Sequence, residues 1–573
     1  MPSNQKLLTA AAGSAGGDPV YVEDVFSTYI YMGNDGTNQI INGIDLSGEG
    51  GMVWQKARST YVADHLLTDS VRGINGIIKS NTTAAQVTAN STHFQSWNNN
   101  GFTLGSGFTA YENFSGIVDG IVSWSFRKAE KFFDIQTWTG NDVQGREISH
   151  ALGSTPGCII CKDLTNASAN WIVYNSGTGA TKATYLNTTD SAVTASLFWD
   201  DTAPTDSVFT IGDFSSINAS GRNYVAYLFA SDAGGFGDDG DENIVKCGSY
   251  TGNGTVGREV NLGFEPQWFL VKPNASDGWY LFDSVRGWSD SLAAAIRPNT
   301  NDEEGNGFYY LPINATGIAF NASSGGALNA NGTEYIYVAI RRGPMKIPED
   351  ATKVFAVDQG GNAGSATVMA YTAGFPVDAA FHTRTEANQN RFWSGRLVGA
   401  KYLLSESNAA AVANTAWTFD SNTQYFNDYA TTTSYAYMFQ RAPGFMDVVC
   451  YSGTNGTISR NHNLTVAPEL MIFKRRNSTS AWTVLSELDG SSYSEMALNS
   501  TIDKSTRNYS ANQYLTAQPT ATVFAQAAGY DNVSGGTYIA YLFATLAGVS
   551  KVGSYTGNAG YAVNVDCGFS AGA

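Results

Sequence analysis

The pentapeptide DSVRG occurs twice in this 573-residue chain, at Asp69–Gly73 and at Asp283–Gly287. An acid, a hydroxyl and an arginine within four residues could transfer a proton or clamp an anion. Cys158 and Cys161 form a CxxC, a spacing used for metal or redox chemistry, but a single pair is a weak signal. The five histidines, His65, His93, His150, His382 and His462, are scattered, and no HExxH motif occurs. Acids gather in GFGDDGDENI (235–244) and in TNDEEGNG (300–307). The first has the composition of a calcium loop without its ligand spacing, so a solvated linker is expected there. A weak Ca2+ site near Asp238, Asp239, Asp241 and Glu242 is the alternative. The second is expected to be a solvated surface loop. Trp97 in QSWNNNGF and Trp393 in NQNRFWSG sit among Asn and Gly, a composition that suits sugar stacking at a surface. The competing reading for both is a core or turn aromatic.

The elements that would position these residues can be read from composition and periodicity. Charged residues make up 14% of the chain, against about 25% in an average soluble protein. Aromatics reach 13%, Gly is abundant and Pro is scarce. Such a chain forms many strands and turns. The net charge of −17 disfavours nucleic acid as a partner. No apolar run is long enough to span a bilayer, so membrane insertion is not expected. The first residues, MPSNQKLLTAAAGSAGGDP, lack a signal peptide's uninterrupted apolar segment and read as a small-residue arm.

Three markers recur along the chain, each at a period of roughly 105 residues. Strands ending in lysine are GGMVWQK (to Lys56), PGCIICK (to Lys162), PQWFLVK (to Lys272) and PELMIFK (to Lys474). A diverged member is expected near PVDAAFHTR (376–384). Closing strands run from GIVSWSFRKA to TYIAYLFATL, and SYTGN-like phrases open units. The markers divide the chain into an arm (1–19), unit 1 (20–129), unit 2 (130–235), unit 3 (236–343), a diverged unit 4 (344–444) and unit 5 (445–548). An incomplete unit 6 starts at 549, and from its missing strand we expect the natural chain to continue beyond Ala573. Turn clusters every 8–15 residues predict an all-β fold of tandem antiparallel β-sandwich units, jelly-roll or concanavalin-like, strung as independent beads.

The repeats weigh the candidates. Opposite the DSVRG copies stand YNSGTG in unit 2 and LSELDG in unit 5, so neither the acid nor the arginine is kept. A catalytic acid would not survive exchange for Asn175, whereas a turn residue would. The cysteines match Trp268, Val271, Leu470 and Phe473 in other units and read as buried small hydrophobes. The residues therefore predict a non-enzyme with no catalytic, cofactor-binding or metal-ligating residues.

The phrases QKLLTAAAGSAGGDPVYVEDVFSTYIYMGN, GIDLSGEGGMVWQKAR, SWSFRKAEKFFDIQTWTGN and YIAYLFATLAGVSKVGSYTGN, with the DSVRG turns, resemble the tandem-repeat tail-fibre or appendage virion proteins of marine tailed bacteriophages. The resemblance covers nearly the whole chain and is weakest at the start of unit 4. It implies a phage virion structural protein, made in the host cytoplasm and assembled into the particle, that contributes to host-surface adhesion. It further implies anchoring to other virion proteins through the arm, host surface glycans as a contact, and a homo-oligomer, a trimer being usual for such fibres. Capsid decoration is the alternative place in the particle, and a carbohydrate-binding or carbohydrate-active protein is the third reading. The resemblance supplies no catalytic residues.

Overall fold

A computed structural model describes residues 18–59, 62–88, 92–107, 111–290, 293–320, 327–360, 369–386, 389–429, 433–488, 490–558, 560 and 562–571. The arm lies almost wholly outside these residues. The chain is all-β, built of antiparallel sheets packed as sandwiches, with helices of single turns only.

Each unit contributes one main sheet, and all five follow the same order: opening strand, closing strand, Lys-ended strand, follower strand. In unit 1 these are Phe26–Tyr31, Ile121–Arg127, Gly51–Ala57 and Leu66–Asp69. In unit 2 they are Phe133–Thr139, Asn223–Ala230, Pro156–Asp163 and Ile172–Asn175. Unit 3 uses Val245–Thr251, Glu334–Arg341, Pro266–Pro273 and Tyr280–Asp283. Unit 4 uses Phe355–Gln359, Ser434–Phe439, Ala379–Arg384 and Phe392–Gly395, and unit 5 uses Met446–Ser452, Thr537–Phe543, Leu470–Arg475 and Thr483–Ser486. The β-branched and aromatic closing strand sits between two partners in every sheet, which suits its burial on both faces. A smaller sheet faces each main sheet, such as Asn38–Ile41 with Gly101–Leu104 in unit 1.

The alternation of side chains across a strand explains why the units do not stand as separate beads. In Gly51–Ala57, Val53 points into the sandwich of unit 1, with Ile40 and Phe102. Its neighbours Met52 and Trp54 point the other way, into a core shared by units 1, 2 and 3. At the centre of that core, Phe126 of unit 1 meets Phe229 of unit 2 at 5.6 Å and Trp268 of unit 3 at 5.7 Å. A second shared core joins units 3, 4 and 5, where Trp393 meets Tyr541 at 4.7 Å. The beads-on-a-string expectation is thus corrected: a sheet buried on both faces needs a neighbouring unit as well as its own partner sheet. Past Lys551 the described residues of the last segment form no strand, and most are exposed.

Candidate functional site

The register places the repeated polar residues at equivalent points, and three sets of them run between units. The first set is the four buried lysines one residue before the ends of the Lys-ended strands; three reach a neighbouring unit, while Lys474 Nζ donates to the Ser480 carbonyl of its own unit. Lys162 Nζ donates to the carbonyl of Thr83 in unit 1 at 2.9 Å, and Lys272 Nζ donates to Thr189 in unit 2 at 3.3 Å. Lys56 Nζ donates to Asn301 in unit 3 at 3.3 Å. Lys272 reaches three further carbonyls, those of Pro273, Ala275 and Asp277. Burial pushes each lysine, Lys474 included, down to about 8. In unit 4 the same register position, opposite the residue after the closing strand's first tyrosine, is held by His382 opposite Ala436. His382 meets Tyr371 Oη through Nε2 at 3.0 Å.

The second set stands one residue before the follower strands of units 1, 2, 3 and 5. Trp171 Nε1 donates to the carbonyl of Lys79 in unit 1, Trp279 Nε1 to Tyr185 in unit 2, and Trp482 Nε1 to Leu404 in unit 4. In unit 1 the position is His65, whose Nε2 meets the carbonyl of Arg297 in unit 3 at 3.1 Å. His65 Nδ1 accepts the indole N–H of Trp54 at 3.0 Å, so the neutral Nε2–H tautomer satisfies both bonds. Burial, then the nearby Lys56 charge, hold His65 well below its ordinary range.

The third set closes the follower strands, where Asp69, Asn175 and Asp283 stand in matching register. Asp69 Oδ1 caps its own turn, accepting from the backbone N–H of Val71 and Arg72. Its Oδ2 takes Arg72 Nε at 2.5 Å and Tyr227 Oη of unit 2 at 2.8 Å. Asp283 repeats the turn, and its Oδ2 takes Arg286 Nε at 2.6 Å and Trp124 Nε1 of unit 1 at 2.9 Å. Asn175 keeps the turn by accepting from Gly177 N–H, and its amide donates to the carbonyl of Tyr337 in unit 3 at 3.2 Å. Unit 1 thus holds unit 2, unit 2 holds unit 3, and unit 3 holds unit 1. The lysines and the tryptophan positions trace the same cycle in reverse.

DSVRG is therefore a capped turn, and its arginines are buried fasteners. Arg286 continues through Nη1 to Glu304 Oε2 at 2.9 Å, and Glu304 also receives Arg58 Nε and Nη2 of unit 1, each at 2.9 Å. Arg58 Nη2 then reaches Asp420 of unit 4 at 2.8 Å. Burial opposes ionisation of Glu304, but Arg58 and Arg286 outweigh it and hold the carboxyl at about 2. The solvated-loop expectation for 300–307 holds for the exposed Asp302 and Glu303 and is corrected at Glu304, whose side chain is only 7% exposed.

A second ionic cluster lies where units 3, 4 and 5 meet. Arg441 Nη1 lies 2.9 Å from Glu265, and Arg441 Nε lies 3.4 Å from Asp378. Arg342 lies 3.2 Å from Glu265 and 3.9 Å from Asp447, and Arg396 lies 3.6 Å from Asp378. Three arginines balance three carboxylates. Beside them Arg476 and Asp290 form a buried two-point pair between units 5 and 3.

Of the sequence-selected aromatics, Trp393 is buried between units 4 and 5, against Phe381, Tyr541 and Trp482. Of its two readings the core aromatic holds and the surface contact is corrected, because its follower strand faces a neighbouring unit. Trp97 is half-buried on a hairpin, 4.3 Å from Phe94. Cys158 and Cys161 are unpaired and buried, and burial raises both thiols. The acids of 238–242 diverge: Asp238 accepts from Tyr21 Oη, while Glu242 pairs with Arg341. Among the described residues no three His, Cys, Asp or Glu side chains converge to hold a metal, and no helix is long and apolar enough to cross a membrane.

A cleft of about 520 Å3 opens where units 1, 3 and 4 meet. Sequence reasoning missed it, because its walls come from positions about 240 and 390 residues apart that only the packing of units brings together.

Compared with known proteins, the chain matches a family model described as Domain of unknown function (DUF7483), over residues 22–344 and 361–571. No curated protein matches it. The chain belongs to that family.

Proposed function

We propose that this member of the family is a phage virion structural protein, a tail fibre or appendage that projects from the particle and contributes to host-surface adhesion. The observation that supports this reading is the use made of its repeated chemistry-bearing residues. Three of the four lysines, the tryptophans and the turn acids are spent on bonds from one unit to another. A chain that commits its functional groups in this way is organised as a rigid multi-unit part rather than around a reacting centre. The resemblance to phage appendage repeats points the same way. Several units displayed on one particle would add weak surface contacts through multivalency.

Electron microscopy of particles purified from cells that make the chain, with gold directed to an N-terminal tag, tests the reading. Label on a tail appendage, together with slower particle adsorption when free protein is added, is the expected result. Label on the capsid shell would transfer the chain to capsid decoration. Absence of the chain from purified particles would overturn the proposal.

A further inference from the structure

The cleft between units 1, 3 and 4 has the size of small-molecule sites, which span roughly 300–1,000 Å3. Its floor is the buried ionic cluster, with Arg342, Arg396, Arg441 and Asp378 among the lining residues. The opening strand of unit 1 forms one wall with Ser27, Thr28 and Tyr29, and Gln440 and Thr423 of unit 4 form another. Gln267 and Ser284 enter from unit 3, and Ile41, 54% exposed, stands at the rim.

This lining selects a ligand class. Charges in the floor cancel, because the three arginines face Glu265, Asp378 and Asp447. Glu23 adds a negative group, already committed to the backbone N–H groups of Met345 and Lys346. On a chain of net charge −17, nothing here draws an anion from solution. What remains is the Gln440 amide and a run of hydroxyls beside Tyr29, which is half-buried against the core of unit 1; Gln267 already gives its amide N–H to the Arg341 carbonyl. Next to them two buried polar atoms, Thr28 Oγ1 and Arg441 Nη2, find no hydrogen-bond partner in the protein. Neutral hydrogen-bonding groups beside an aromatic face match a polyhydroxylated molecule, whose hydroxyls both donate and accept and whose ring C–H face stacks.

We propose that this cleft binds a neutral sugar, one or two residues of a glycan, between units 1, 3 and 4. The proposal rests on the adhesion reading for its biological sense, while its test does not depend on where the chain sits in a particle. The whole chain is titrated with methyl glucoside, methyl galactoside, N-acetylglucosamine, lactose and cellobiose, and binding is followed by saturation-transfer NMR and calorimetry. Sodium sulfate and inorganic phosphate serve as anionic probes. Binding of at least one sugar with a Kd near or below about 10 mM is expected, with no displacement by sulfate or phosphate. Ile41→Trp, which fills the mouth, and Gln440→Ala, which removes an amide, should each weaken binding at least about tenfold at unchanged melting temperature. If one variant fails to fold, the other carries the test.

No binding by any of the sugars, displacement of a bound sugar by sulfate, or sugar binding untouched by a folded variant would each overturn the proposal. A chain found on a tail appendage that binds none of these sugars would refute the sugar site and leave the appendage reading standing. A sugar-binding chain absent from particles would do the reverse.

Discussion

Trp124 donates its indole N–H to Asp283 Oδ2 at 2.9 Å, joining the closing strand of unit 1 to a turn in unit 3, while the Arg286 guanidinium lies 5.6 Å from the same indole ring. A side chain read from sequence as a turn residue is thus the point where the first and third units lock. Removing Arg286 would leave Asp283 without its ion pair and deprive Glu304 of one of its two arginines. Arg286→Ala should therefore cost about 3–5 kcal/mol of stability, the usual penalty for stranding a buried charge. Chemical denaturation of the whole chain measures it, and a cost below about 1 kcal/mol would mean that the pair is solvent-screened.

The tryptophans before the follower strands give a milder test. Trp171→Phe keeps most of the ring but leaves the Lys79 carbonyl without its indole donor, so a loss of about 1–3 kcal/mol is expected. Trp482→Phe should behave alike through Leu404. Unfolding followed by fluorescence would show whether the transition stays single, as shared cores require.

Acid should loosen the assembly through its histidines, while Asp531, whose carboxyl burial raises to about 6, acts in the opposite direction. Burial depresses His65, His150, His382 and His462, so each binds a proton more weakly folded than unfolded. The unfolded chain then takes up protons first as pH falls below about 6.5, and stability declines from there, for His382 down to about 4. Protonating His65 Nδ1 would turn its acceptor toward Trp54 into a donor. His65→Gln should flatten the decline in melting temperature between about pH 6.5 and 5. An unchanged slope would show that His65 is not a contributor.

The buried lysines act in the same direction at higher pH. Their folded values, near 8, lie below the ordinary lysine value, so between about pH 8 and 10 the unfolded chain holds more protons. Stability should rise with pH across that interval, until tyrosine ionisation in the unfolded chain reverses it. Lys272→Met removes one contributor and should reduce the rise in melting temperature. A melting temperature that falls steadily from pH 8 would contradict the assignment.

Much of the architecture was legible from repeated strings, because strand patterns are local. Lys56, Lys162, Lys272 and Lys474 each stand one residue before the end of matching strands, and PVDAAFHTR holds the fourth unit's counterpart, Ala379–Arg384. The turn reading of DSVRG was legible too, since Asn175 can cap a turn as Asp69 does. The partners of these residues were not. Nothing near Asp69 in sequence points to Tyr227, and nothing near Glu304 points to Arg58, because those pairings depend on how sheets stack. The surface reading of Trp393 failed for the same reason, since a neighbouring unit covers the residue, and its competing reading as a core aromatic held. A periodic buried lysine was a usable signal, since an ammonium in an apolar strand requires carbonyls to receive it.

Unit 3 contributes to both shared cores, and unit 1 is bonded to unit 3 as well as to its sequence neighbour, unit 2. A filament of separate domains pulled from its ends yields one domain at a time, each rupture lengthening the tether. Here a pull must shear contacts between units that are not consecutive before any single unit can stretch. Tension is shared across several interfaces at once, and the part resists drag as a block up to a threshold instead of extending gradually.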